Sequence, residues 1–207
     1  ELCKTRLPDK MGIPAEELQV LTPTRRGDAG TRSLNFALQA ALNPPAPGKK
    51  ERRFGELTFR EGDRVMQTRN DYDVIWQKED GTAGTGIFNG DVGKIARIDP
   101  SGELLEIVFD DRTAVYTADM LAELDMAYAM TVHKAQGSEY RGVVFVGAPC
   151  APSLMVRGVL YTAITRAREL LVIVGDDSAV NKMAENDRRS RRYSGLKWRL
   201  RKGGEEK

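Results

Sequence analysis

Tyr128-Ala129-Met130-Thr131-Val132-His133-Lys134-Ala135-Gln136-Gly137-Ser138-Glu139-Tyr140 begins apolar and then turns abruptly polar. Its first residues read as a short buried strand. The rest gather an imidazole, an ammonium, an amide, a hydroxyl and a carboxylate in one short run. Gly137 lets the backbone turn or approach a ligand closely. A strand that ends in a dense polar turn is where open α/β sheets place their ligands. His133 is the only histidine of the chain.

Working outward, Gly142-Val143-Val144-Phe145-Val146 reads as a buried strand and Ser153 to Arg168 as a helix. Leu170-Leu171-Val172-Ile173-Val174 reads as a final strand, closed by Gly175-Asp176. Upstream, residues 1–18 read as helix and loop, and Gln19-Val20-Leu21-Thr22 as a short strand stopped by Pro23. Thr31 caps a helix with Leu34, Ala37, Leu38, Ala41 and Leu42 on one face. Asn43-Pro44-Pro45-Ala46-Pro47-Gly48 ends it as a linker. Strands alternating with helices predict a parallel sheet with right-handed crossovers. From about Leu57 to Leu124 the pattern changes to five short strands separated by turn signals such as Gly62-Asp63, Asn89-Gly90 and Ser101-Gly102. That spacing predicts a small β-barrel.

The Tyr128–Tyr140 stretch resembles motif V of superfamily 1 helicases, in the form found in RecD-like DNA helicases. Leu160-Tyr161-Thr162-Ala163-Ile164-Thr165-Arg166-Ala167-Arg168 resembles motif VI of the same enzymes, and Thr22-Pro23-Thr24-Arg25-Arg26-Gly27 resembles motif IV. The resemblance extends over nearly the whole chain. It implies an α/β fold: a RecA-like parallel-sheet motor domain from residues 1–55 and 123–187, interrupted by an SH3-like β-barrel insert at 56–122. A basic tail follows at 188–207. It also implies the C-terminal half of an ATP-dependent DNA helicase that travels 5′ to 3′ on single-stranded DNA. ATP and Mg2+ are the implied cofactors. Single-stranded DNA and the N-terminal motor domain of the same protein are the implied partners.

The resemblance assigns roles residue by residue. Phosphoryl transfer needs cations aimed at the γ-phosphate, and Arg166 is the candidate arginine finger. The plain alternative is a helix-surface arginine paired to an acid. Gly137 and Glu139 match positions near the nucleotide and its ribose. Thr131, His133 and Lys134 match positions that face DNA phosphates or couple DNA to the ATP site, although His133 also suits a structural role. One of Arg25 and Arg26 is expected near the nucleotide phosphates, with a structural salt bridge as the alternative. In the barrel, Arg64 and Asn89 are expected to line the DNA channel, within clusters that include Gln67, Arg69, Asn70, Tyr72 and Phe88. Exposed aromatics there would stack bases, but Phe88 reads first as a core residue.

Composition bounds these readings. The 207 residues are 41% hydrophobic and 30% charged, which suits a globular domain with a small insert. No apolar run is long enough to span a membrane. Cys3 and Cys150 make no disulfide framework, so a reducing cytoplasm is the expected compartment. Two separated cysteines and one histidine argue against a metal site. The net charge of +2 says little, but the run from Arg188 to Lys202 is rich in Arg and Lys, holds no acid and interleaves Tyr193 and Trp198. That run suits either a nucleic-acid contact or a solvated face. No G-x-x-x-x-G-K-[ST] sequence occurs, and the chain does not open on Met. The P-loop and the acidic Mg2+ ligand are therefore expected on another segment of a longer protein, and the chain alone is expected not to hydrolyse ATP. Two other readings share many features: a non-enzymatic single-stranded nucleic-acid-binding module, and another superfamily 1 motor such as an RNA helicase.

Overall fold

Residues 1–188 are described by a computed structural model. Pro8 sits in the first turn of a short helix, α1 (Leu7–Met11), where its missing N–H costs nothing. β1 (Leu18–Thr22) follows and is buried at every position. α2 (Thr31–Leu42) leads to a hairpin of β2 (Glu51–Phe54) and β3 (Leu57–Arg60). Seven strands come next: β4 (Arg64–Gln67), β5 (Asp71–Gln77), β6 (Ala83–Ile87), β7 (Val92–Ile98), β8 (Leu104–Phe109), β9 (Arg112–Thr117) and β10 (Leu124–Met126). The chain returns through β11 (Ala129–Thr131), a polar turn, β12 (Tyr140–Gly147), α3 (Arg157–Ile164), β13 (Ala167–Gly175) and α4 (Asp177–Glu185).

β11, β1, β12 and β13 form a parallel sheet in that order. A strand with no solvent-facing residue belongs inside such a sheet, and β1 is indeed paired on both sides. Its register fixes levels: Thr22 lies beside Thr131, whereas Leu18 lies beside Gly142. The segment from Thr131 to Tyr140 therefore descends from one end of the sheet to the other. The second sheet is antiparallel, in the order β10-β4-β7-β8-β9-β5-β6. Val65, Val74, Ile87, Ile95, Leu105, Tyr116 and Leu124, one from each of its strands, share a single core. This is the expected small barrel. It carries more strands than the sequence pattern suggests, and its last strand, β10, lies past residue 122. β10 is held there by antiparallel pairing with β4, Asp125 opposite Met66.

The two sheets meet along a polar seam. Asn35, Gln39 and Asn43 repeat at four-residue intervals on and just past α2 and are all buried. Asn35 donates to the carbonyls of Met126 (3.0 Å) and Ala129 (2.9 Å) and accepts from the Ala129 N–H (2.6 Å). Asp63, wholly buried, accepts from Gln39 (2.6 Å), Asn43 (2.7 Å), the Arg60 N–H (2.7 Å) and the Tyr128 hydroxyl (2.9 Å). Four donors satisfy a carboxylate that has left water. Burial nonetheless pushes its pKa up, against those hydrogen bonds.

Two expectations are corrected. The helix expected over 153–168 is confined to Arg157–Ile164, because Ala167 pairs with Tyr140 and already belongs to β13. Arg64, expected to line a DNA channel, is engaged at the seam between the two sheets instead. Its guanidinium donates to the Leu18 carbonyl (2.9 Å) and to Gln19 Oε1 (3.0 Å) inside the seam, and desolvation lowers its pKa. Of the basic tail expected over 188–207, residues 189 onward lie outside the described residues. No described helix is long and apolar enough to cross a membrane.

Candidate functional site

The polar segment after β11 gathers candidate residues at both of its ends. At the upper end, Thr131 closes β11, and its carbonyl and hydroxyl accept from the Lys134 N–H (2.9 and 3.3 Å). This tight turn points the Lys134 side chain at the barrel, where its ammonium donates to Asn89 Oδ1. Asn89 sits in the β6–β7 turn. Its N–H donates to Asn70 Oδ1 (3.0 Å), and Gly90 N–H donates to the Gln67 carbonyl (2.9 Å). Two residues expected to meet DNA, one from a turn of each unit, are thus in direct contact.

Arg25 joins them from the loop after β1. That loop is folded hard onto Gly30: a Cβ there would lie 2.6 Å from the Arg25 and Arg26 backbone. Arg25 reaches Asp125 at 3.8 Å. Partial burial pushes the Lys134 ammonium below its ordinary pKa, nearby Arg25 adds to that, and Asp125 opposes it. Burial also raises the Asp125 carboxyl. Two cations near enough to depress one ammonium, with one carboxylate in the same neighbourhood, make a local excess of positive potential, which suits an anionic ligand. Arg26 is exposed, and only its backbone is fixed, by the Thr24 hydroxyl (3.3 Å).

At the lower end, Gly137 holds φ at +89° and nothing lies within 4 Å of a Cβ built there. The left-handed backbone, not crowding, is what asks for glycine. Glu139 pairs with Arg168 of β13 at 3.0 Å, both largely exposed. Arg166 lies between α3 and β13. Its guanidinium donates to the Ser138 carbonyl (2.8 Å), the Thr162 carbonyl (3.2 Å) and the Thr165 hydroxyl (3.1 Å). All three acceptors are neutral, so the expected alternative of an acid-paired arginine is not what the geometry shows. Its positive charge stays uncompensated at the place where the two motif segments touch.

His133 is exposed and lines a cleft of about 530 Å³ with Gln136, Ser153, Arg157, Tyr161 and Thr162. It is not a packed core histidine. Phe88, expected in the core, is 41% exposed and lies edge-on to Tyr72 with ring centroids 5.6 Å apart. The structure thus gathers Arg25, Thr131, Lys134 and Asn89 at one end of the segment, and Gly137, Glu139 and Arg166 at the other. It leaves Arg64 out. Sequence reasoning missed Asp125, the acid that pairs with Arg25 and acts on Lys134, because nothing in Leu124-Asp125-Met126 marks it beyond its place in a strand. No group of three or more His, Cys, Asp and Glu able to hold a metal ion occurs among the described residues.

The family described as the ATP-dependent RecD-like DNA helicase SH3 domain matches residues 34–109. The family described as the UvrD-like helicase C-terminal domain matches residues 126–174. The chain is 37% identical over 174 residues to the ATP-dependent RecD2 DNA helicase of Deinococcus radiodurans, covering 84% of this chain and 22% of that protein. It is 30% identical over 189 residues to the RecBCD enzyme subunit RecD of Mycolicibacterium smegmatis, covering 91% of this chain and 30% of that subunit. It thus spans between 22% and 30% of the length of these relatives. Among solved structures, the fold is shared with Bacteroides Pif1 helicase in complex with ADP-AlF3 and ssDNA. The TM-score is 0.51 at 16% identity, covering 100% of this chain and 49% of that one.

Proposed function

The chain belongs to the RecD-like helicases, and on that premise we propose that it is the second motor half, with its barrel, of an ATP-dependent DNA helicase. In this reading single-stranded DNA crosses the Arg25–Lys134–Asn89 strip and ATP binds at the Glu139–Arg166 end. The observation that carries it is the single segment joining the two. Over Thr131–Tyr140 the backbone runs the height of β1, about 13 Å at roughly 3.3 Å per residue. A shift at either end is transmitted by a few covalently linked, hydrogen-bonded residues.

At the DNA end, Lys134, Arg25 and the Thr131 hydroxyl take phosphates, which position a strand without reading its sequence. His133 and Gln136 border the same track. At the nucleotide end, Glu139 takes the ribose and Arg166 reaches across to the γ-phosphate, where charge spreads in the transition state. Being always ionised and forked, arginine suits that role. The loop that carries Arg25 and Arg26 leaves β1 at the Thr131 end, so in this reading both arginines stand with the DNA strip and not with the nucleotide. Mg2+, when bound, would supply charge neutralisation at the phosphates. Its ligands and the P-loop belong to the preceding motor domain of the parent protein, and the chain alone does not turn over ATP. Travel is 5′ to 3′, as the family resemblance implies, and the setting is the cytoplasm.

Steady-state ATPase of the parent protein against single-stranded DNA concentration tests the division of labour. Lys134→Ala should raise the DNA needed for half-maximal stimulation while largely sparing kcat at saturation, and Arg166→Ala should do the reverse. If both variants shift the same parameter, the two-ended reading fails. Stimulation by RNA but not DNA would point to an RNA motor instead.

A further inference from the structure

Tyr72 and Phe88 stay in solvent, 65% and 41% exposed. Their rings meet edge to face, with an interplanar angle of 72°. Gly86 holds φ at +97°, and a Cβ there would come within 3.0 Å of the Phe88 ring, so the glycine keeps room for it. Asn70 ties the pair to its surroundings: it donates to the Tyr72 hydroxyl (3.4 Å) and accepts from the Asn89 N–H. The Asn89 side chain in turn holds Lys134. Two exposed rings thus sit one residue from the cation strip.

The charges nearby set what these rings can take. Asp71 and Asp73 flank Tyr72 along β5, and Asp91 accepts from the Phe88 N–H (3.1 Å). A phosphate is repelled there and drawn to Lys134 and Arg25. An uncharged, flat, polarisable group attached to that phosphate is not repelled. We propose that Tyr72 and Phe88 form a stacking platform for one unpaired nucleobase of the strand whose phosphates cross Lys134. This rests on the reading of the Arg25–Lys134–Asn89 strip as the single-strand track. The platform would grip bases without choosing among them, since every base offers a π face.

Fluorescence anisotropy on the full 207-residue chain, with a labelled oligothymidine and the same backbone carrying abasic sites, tests it. Wild type should bind the base-bearing strand tighter by on the order of ten-fold. The Tyr72→Leu/Phe88→Leu double variant, which keeps apolar bulk but no ring, should lose that preference. Lys134→Ala should weaken both strands alike. Equal wild-type affinity for the two strands, with Lys134 dependence intact, overturns the platform and leaves the phosphate track standing. A preference that survives in the double variant, folded by circular dichroism, also overturns it. Absence of binding to either strand removes both the platform and the track beneath it.

Discussion

Arg166 binds three neutral oxygens, and this sharpens what its loss should do. Two of its hydrogen bonds fasten the end of α3 and one fastens Ser138, so Arg166→Ala should lower stability by about 1–2 kcal/mol. If it is also the finger, DNA-stimulated kcat in the parent enzyme should fall by on the order of 10³-fold, far more than the melting shift explains. Lysine should rescue stability better than turnover, because a point charge lacks the fork. ATPase and melting temperature on one preparation separate the two effects. Asp125 supports a second prediction. Removing its charge in Asp125→Asn takes away an acid that pairs with Arg25 and acts on Lys134, so single-strand affinity should rise a few-fold at low salt and less at high salt. Unchanged affinity would place the strand elsewhere. Residues of this kind differ in legibility. Arg166 and Lys134 stand in motifs whose chemistry is local. Arg64 looks equally eligible in Asp63-Arg64-Val65, but its fate depends on the start of β4 lying against Leu18 and Gln19, a tertiary fact with no local trace.

α2 was legible as a helix and its leucines pack on the cores as the period suggests, but the period passes over its most buried positions. Periodicity draws attention to Leu34, Leu38 and Leu42, which are only half buried, whereas Asn35 and Gln39 are the buried positions. Amphipathic patterns treat amides as solvent-facing, and here they line the inside of a joint. Asp63 is the centre of that joint, and Asp63→Ala should cost about 3–5 kcal/mol by stranding four donors. Asp63→Asn should cost less and carry a pH signature. The native carboxyl titrates above its ordinary value of about 4. Between those two values the native state holds more protons than the unfolded one, so this group loses stability as pH rises through the window and contributes nothing further above it. The advantage of wild type over Asp63→Asn should therefore shrink with rising pH across that window. Urea denaturation of both proteins at several pH values reads this directly, and a growing advantage contradicts the sign.

For the whole molecule, alternation of strand and helix was enough to predict the parallel sheet, and turn spacing was enough to predict the barrel. Neither pattern shows that Leu124–Met126 leaves one sheet for the other, since three residues carry too little period. The seam sets Asn89 of the barrel beside Lys134 of the parallel-sheet unit, so under the proposed function both bodies border one strand. Affinity for single-stranded DNA should accordingly fall steeply with salt. Lys134→Ala should reduce the slope of log K against log salt by about 0.7, one phosphate contact. A slope unchanged in that variant would remove Lys134 from the phosphate contacts.

β1 lies between β11 and β12, and Val20 finds its partners at Ala129 and Val144. During synthesis those partners emerge long after β1 does, with the whole barrel between. Closing so long a loop from a disordered chain is entropically expensive and slow. Once the barrel has formed, Asn35 and Asp63 hold its two ends at the seam, and the same pairing becomes a short docking step. Folding should then proceed from the inside outward. In pulse-labelled hydrogen exchange, amides of β7, β8 and β9 should gain protection before those of β1 and β11. Asp63→Ala should delay the second phase and leave the first nearly unchanged.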